Sequence, residues 1–203
     1  MGQEFERILN RFLALSPAGL ERAVLALIDE KGIDEGNRGA LMGFILTKLA
    51  EDSPQALLKI LPRLPVFPGA EAEDARVRDM FASNALENWA KADPDAAAAW
   101  IGDHREQFSG SFGEGVKQRV IAGAASKDPV RAFELVNEMG ITDQERAVMS
   151  ITRAAKGEEG RTAALAALRD YLPVSGGVEK EKMLDKGIGE LAARSFRQGR
   201  SPA

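Results

Sequence analysis

The fold class predicted by this sequence is an all-α, right-handed α-solenoid of about five irregular helical hairpins closed by a C-terminal capping helix, and three observations predict it. First, Ser-Pro or Asp-Pro corners recur at Ser16-Pro17, Ser53-Pro54, Asp93-Pro94 and Asp128-Pro129, with a degenerate corner at Glu158-Glu159. They are spaced 37, 40, 35 and 30 residues apart, within the period range of helical repeats. Second, apolar residues keep step with these corners. Eight positions before each stand Leu9, Leu46, Leu86, Ile121 and Ile151; five before, Phe12, Leu49, Trp89, Ala124 and Ala154; four before, Leu13, Ala50, Ala90, Ala125 and Ala155. These columns share one face of a 3.6-residue helix. Six and seven positions after the corner come Ala23-Val24, Ile60-Leu61, Trp100-Ile101, Leu135-Val136 and Leu165-Ala166. Third, the chain is Ala-rich and poor in aromatics, with no convincing alternating strand.

The corners work by local chemistry. A Ser or Asp before the proline is a good N-cap, because its side-chain oxygen accepts an orphan backbone N–H of the helix that follows. Proline suits the first helical turn, where its missing N–H costs nothing, and it disfavours helical geometry at the residue before it, so the preceding helix stops there. A small residue four before the corner lets the second helix approach closely.

Taken in order, helices are expected near 3–15 and 17–29, 37–52 and 54–63, 72–92 and 94–107, 114–127 and 129–138, and 142–157 and 159–172, with a last helix at 179–198. The units are then 3–29, 37–63, 72–107, 114–138 and 142–172 of a single helical-repeat domain spanning 1–203. Between them lie connectors broken by Gly and Pro: Glu30–Gly36, Leu64–Gly69, Ser109–Gly113 and Pro173–Gly177. The last helix carries Leu184, Ile188, Leu191 and Ala192 at the spacing of a first helix without its partner, as a capping element would. The alternative is a chain cut from a longer array.

Bulk composition is that of an ordinary soluble protein, 44% hydrophobic and 29% charged. A formal charge of −4 argues mildly against non-specific nucleic-acid or membrane binding as the main activity. With no cysteine there is neither a disulfide framework nor a thiolate ligand or nucleophile. No stretch approaches the roughly 18 consecutive apolar residues of a membrane span. The opening Met1-Gly2-Gln3-Glu4-Phe5-Glu6 fits neither a secretory signal nor a myristoylation site. As written, the chain is expected in the cytoplasm, or outside it if an N-terminal signal has been removed.

Trp89-Ala90-Lys91-Ala92-Asp93-Pro94-Asp95-Ala96-Ala97, followed by Trp100, resembles the W-A-x-x-D-P-x-A-A-x-x-W signature of bacterial tandem helical-hairpin repeat proteins, and Leu15-Ser16-Pro17-Ala18-Gly19-Leu20 resembles the opening of such chains. They are related in style to tetratricopeptide and HEAT arrays. The likeness spans residues 5–172 as a pattern but is close only in the third unit; the second has Ser53 before its proline and the fifth has no proline. It implies a fold and carries over no catalytic residues.

Reactive groups are sparse. His104, the only histidine, stands between Asp103 and Arg105 at an expected helix end, where an imidazole complements the negative end of the dipole. One histidine without cysteine does not make a zinc site. Ser109-Gly110-Ser111-Phe112-Gly113-Glu114-Gly115 lacks the Gly-Lys-Ser/Thr ending of a phosphate loop and reads as a flexible connector. Glu71, Glu73 and Asp74 lack the spacing of a calcium loop and read as a solvated helix start. Trp89 and Trp100 fall in core columns. No enzyme activity, cofactor or metal is expected.

One pattern points outward. On the first-helix face opposite the core, the columns three, six and ten before each corner hold Arg7, Arg11, Lys48, Lys91, Arg119, Arg153 and Lys156 against a single acid, Glu51, in fifteen positions. The whole chain, with 27 basic and 31 acidic residues, leans the other way. First helices usually line the inner curve of a solenoid, so the ridge is expected to face a groove that binds an acidic or phosphorylated peptide or protein, with nucleic acid second. An ordinary solvated face with a chance charge bias is the competing reading. The expected function is a non-enzymatic protein-interaction scaffold. The alternative is a HEAT-like DNA-binding or DNA-repair enzyme with a basic concave groove, for which Glu51 and Glu87 are the only acids to nominate.

Overall fold

Proline and its capping partner set most helix boundaries in the computed structural model, which describes residues 6–7, 10–12, 14–30, 32–65, 71–108, 110–172 and 177–198. Among these the protein is all-helical, with no strand. Ser16 Oγ accepts from Gly19 N–H at 3.2 Å, Asp93 Oδ1 from Ala96 N–H at 3.0 Å and Asp128 Oδ1 from Arg131 N–H at 3.0 Å, each with proline in the first turn. Ser53 makes no such side-chain bond. The chain divides into two compact units, Met1–Asn88 and Trp89–Ala203.

In the N-terminal unit, residues 6–7 and 10–12 are helical, and the rest of the helix expected at 3–15 lies mostly outside the described residues. Helices α1 (Pro17–Asp29), α2 (Glu35–Asp52) and α3 (Pro54–Ile60) pack on one another. Leu20, Val24, Ile45, Leu46, Leu49, Leu57 and Ile60 are fully buried. The helix expected to reach residue 63 ends at Ile60 and tightens into a 3₁₀ turn, Leu61–Arg63, because Pro62 has no N–H to continue the α ladder. Helix α4 (Glu71–Ala92) carries Phe81, Ala85 and Leu86 into the core, and Asn88 Nδ2 donates to the Ala50 carbonyl at 3.1 Å.

The C-terminal unit contains α5 (Pro94–Asp103), α6 (Gly110–Ala125), α7 (Pro129–Glu138), α8 (Gln144–Ala154), α9 (Gly157–Tyr171) and α10 (Val178–Gln198). From α5 onward each helix packs on the next and on the next but one: α5 on α6 and α7, α6 on α7 and α8, and so on to α10, which packs on α8 and α9. Ile121, Leu135, Ile151, Leu168 and Leu172 are at most 1% exposed in the shared core. At Gly187 the α10 backbone comes so close that a Cβ would lie 2.6 Å from Leu168 Cδ2 and 3.2 Å from Val148 Cγ1. Leu184 and Leu191 are buried on the same side of α10, while Glu179, Glu181, Asp185 and Lys186 are exposed.

Three expectations need correction. The helix expected over 94–107 ends at Asp103, and residues 104–108 form turns. The stretch 110–115, expected as a flexible connector, is the start of α6: Gly110 turns the chain at φ +62°, and Gly113 packs so tightly that a Cβ there would lie 1.9 Å from the Phe108 carbonyl oxygen. The fifth corner falls at Ala155-Lys156, not at Glu158-Glu159, because Gly157 supplies a left-handed φ of +68° in place of a proline. The second helix of that unit is therefore out of the expected register, with Ala164, Ala167 and Leu168 buried and Ala166 exposed.

Between α7 and α8 the stop signal is a glycine. Gly140, at φ +61°, lets Ile141 N–H reach the Val136 carbonyl at 3.0 Å and Gly140 N–H reach that of Asn137 at 3.1 Å, the two bonds of a Schellman cap, with Ile141 itself buried.

Candidate functional site

The basic residues picked out by sequence belong to two units. In the N-terminal unit Arg7 and Arg11 are exposed, and Lys48, half-buried, pairs one turn on with Asp52 at 2.6 Å. In the C-terminal unit Lys91 is half-buried in the last turn of α4, Arg119 is exposed on α6 and Arg153 is exposed on α8. Arg153 Nε donates to Glu190 Oε1 of α10 at 3.3 Å. Lys156 is exposed at the N-cap position of α9. Packing of α6 on α8 and of α8 on α10 sets Arg119, Arg153 and Glu190 on successive neighbours. Two ridge cations thus meet carboxylates that the three columns do not contain, which reduces the local positive field. Gly123, a ridge-column position, is buried.

Sequence reasoning missed a second charged constellation. Arg131 of α7 donates from Nε to Asp95 Oδ1 at 2.7 Å, from Nη1 to Glu134 Oε2 at 2.8 Å, and through both Nη1 and Nη2 to Glu138 at 2.7 Å. These bonds, those to Glu138 first, hold the guanidinium proton more firmly than usual, and Arg131 in turn holds the Glu138 carboxyl below its ordinary range. The legible signal was positional: Asp95 is one residue past its corner proline and Arg131 two past the next, so consecutive second helices present opposite charges at nearly the same height. Asp95, Arg131 and Glu138 line a cleft of about 720 Å³ together with Ala98, Gly102 and Lys117.

His104 and the tryptophans sit in a packed aromatic run. Trp89 and Trp100 have ring centroids 6.4 Å apart, His104 stacks on Trp100 at 4.0 Å, Phe108 meets Trp100 edge-on at 5.5 Å, and Phe112 stacks on Phe108 at 5.7 Å. The His104 Nδ1 and backbone N–H both bond the Trp100 carbonyl, at 2.8 and 3.2 Å, so the imidazole closes the C-terminal end of α5. At the start of α4, Glu73 is exposed beside Arg76 at 3.7 Å. Among the described residues no group of three or more His, Asp or Glu side chains is placed to hold a metal ion, and no helix is long and apolar enough to cross a membrane.

A further cleft, of about 590 Å³, opens in the N-terminal unit between α1, α2 and α4. Its walls are Leu27, Ile28, Met42, Leu46, Val77 and Phe81, with Arg38, Asp74 and Arg78 as the charged groups. Arg78 Nη2 donates to the Leu64 carbonyl, while its Nε is buried without a partner.

What these features define is an all-α protein with charged and apolar clefts between neighbouring helices. Compared with protein-family models, curated proteins and solved structures, the chain matches none.

Proposed function

We propose that this protein is a non-enzymatic interaction scaffold, built as a right-handed α-solenoid of the tandem helical-hairpin kind, whose first-helix face takes an acidic or phosphorylated segment of a protein partner. The observation that carries the reading is the packing order of the C-terminal unit. A helix that packs on its next and next-but-one neighbours belongs to one of two parallel rows, α6, α8 and α10 in the first and α5, α7 and α9 in the second. Such a stack leaves one long side of each row open to solvent, and extended binding surfaces are what stacked repeats offer. Exposed Arg119 and Arg153 give the first row of the C-terminal unit its chemistry, and in the N-terminal unit Arg7 and Arg11 are likewise exposed.

The test is a titration of the full chain with a fluorescein-labelled peptide of alternating Glu and Ala, its phosphoserine counterpart and a Gln control, at low and physiological salt. Acidic peptides are expected to bind at least tenfold more tightly than the Gln control, and the charge reversals Arg119→Glu, Arg153→Glu and Lys156→Glu together, all in the C-terminal unit, are expected to abolish the difference. Unchanged affinity in the triple variant, or tighter binding of a DNA duplex than of either acidic peptide, overturns the reading.

A further inference from the structure

The cleft of the N-terminal unit has the composition of a small-molecule site. Ligand pockets are typically a few hundred to about a thousand Å³, mostly apolar, with a few convergent polar groups that fix orientation. Here a half-open cleft of about 590 Å³ is lined by Leu27, Ile28, Met42, Leu46, Val77 and Phe81. The polar groups are two guanidiniums, Arg38 and Arg78, against one carboxylate, Asp74.

Two details suggest the occupant. On α2, Gly39 and Gly43 line the cleft, and a Cβ built on either would meet nothing within 4 Å. Gly is about 1 kcal/mol worse than Ala in a helix interior, so two glycines one turn apart beside open space hold room for something other than a neighbouring side chain. The cationic end is also undersatisfied. Arg78 spends Nη2 on the Leu64 carbonyl and Arg38 spends Nη1 on that of Glu30, while Arg78 Nε–H is buried with no acceptor. Neither arginine has a carboxylate partner among the described residues. Both guanidiniums are half-buried at the cleft and bond only neutral carbonyls, so their charge is open to an anion, and such a charge-assisted hydrogen bond is about twice as strong as a neutral one.

We infer that this cleft binds an apolar carboxylate, a molecule with an unbranched or aromatic hydrocarbon body lying along the Gly39–Gly43 face of α2 and its carboxylate at Arg78 and Arg38. The site is separate from the basic ridge and does not depend on the scaffold reading.

The experiment uses the chain of residues 1–203 and isothermal titration with four probes, dodecanoate, dodecanol, dodecylamine and acetate, the charged amphiphiles below their micelle concentrations. Dodecanoate is expected to saturate one site per chain, with dodecanol and dodecylamine at least tenfold weaker and acetate without measurable binding, since each lacks the charge or the apolar body. Gly43→Leu, which fills open space on a helix face, is expected to block dodecanoate while keeping the helical circular dichroism of the parent. Arg78→Met is expected to cut dodecanoate affinity at least tenfold and leave dodecanol unchanged. Equal affinity for dodecanoate and dodecanol, unaltered dodecanoate binding in a folded Gly43→Leu variant, or no saturable binding by dodecanoate overturns the inference. Preference for an acidic amphipathic peptide over dodecanoate in competition overturns it too, in favour of a peptide groove.

Discussion

Single atoms decide several positions in this protein. A methyl group at Gly113 would lie 1.9 Å from the Phe108 carbonyl oxygen, a backbone atom that cannot step aside without breaking the turn into α6. Gly113→Ala is expected to destabilise the chain by about 2–3 kcal/mol, as overpacking does. Gly115→Ala, two residues along the same helix with nothing within 4 Å of its Cβ, should instead gain up to about 1 kcal/mol from helix propensity. Urea denaturation of the pair checks both signs. Leu86 is fully buried and Asp93 caps α5, so Leu86→Ala should cost about 2–5 kcal/mol and Asp93→Ala about 1 kcal/mol in the same assay. Both residues were legible from sequence, one by its column and the other by its proline. Gly113 was not, because its requirement comes from a carbonyl brought back by the preceding turn, a contact that no periodicity encodes.

Helices were legible wherever a corner carried its own chemistry. Ser16, Asp93 and Asp128 each stand before proline and each cap the helix expected of them. Where the corner lacks proline the reading slipped: at the fifth hairpin the apolar columns of α8 fit, yet α9 starts two residues early because Gly157 accepts a backbone conformation that a proline corner does not use. Asp143, which caps α8 by accepting Arg146 N–H at 3.0 Å, has no proline after it and went unread. The Arg131 cluster joins α5 to α7 and gives an element-scale prediction about acid. Since Arg131 lowers the Glu138 carboxyl in the folded state, the bond stabilises the fold above the unfolded carboxyl value, about pH 4.3, and its contribution is lost as pH falls through the lower folded value. Arg131→Met is therefore expected to lower the melting temperature at pH 7, and the gap from the parent should narrow below about pH 4. A constant gap from pH 7 to pH 3 would show that the cluster acts through packing alone.

At the scale of the whole molecule, the all-helical class was readable because Ala-rich periodic segments leave no competing strand. The clefts were not, since they form between helices far apart in sequence: Arg78 meets Leu64 across a connector, and Asp95 meets Arg131 across 36 residues. The packing order of the C-terminal unit predicts how damage spreads. With each helix packed on its two nearest neighbours along the chain, Leu184→Ala in α10 should speed amide hydrogen exchange in α8 and α9 far more than in α5 and α6. Equal acceleration in all six helices would mean one cooperative core and would count against the stacked-row reading.

The aromatic run offers a practical gauge. Both tryptophans of the chain lie in it, Trp89 and Trp100 with His104 stacked on the second, so tryptophan emission, excited at the red edge where Tyr171 of α9 absorbs little, comes from one hairpin alone. A melting curve followed by light from those indoles tracks that hairpin, whereas ellipticity averages over all turns of backbone. Any temperature gap between the two traces measures how separately the parts of this protein let go.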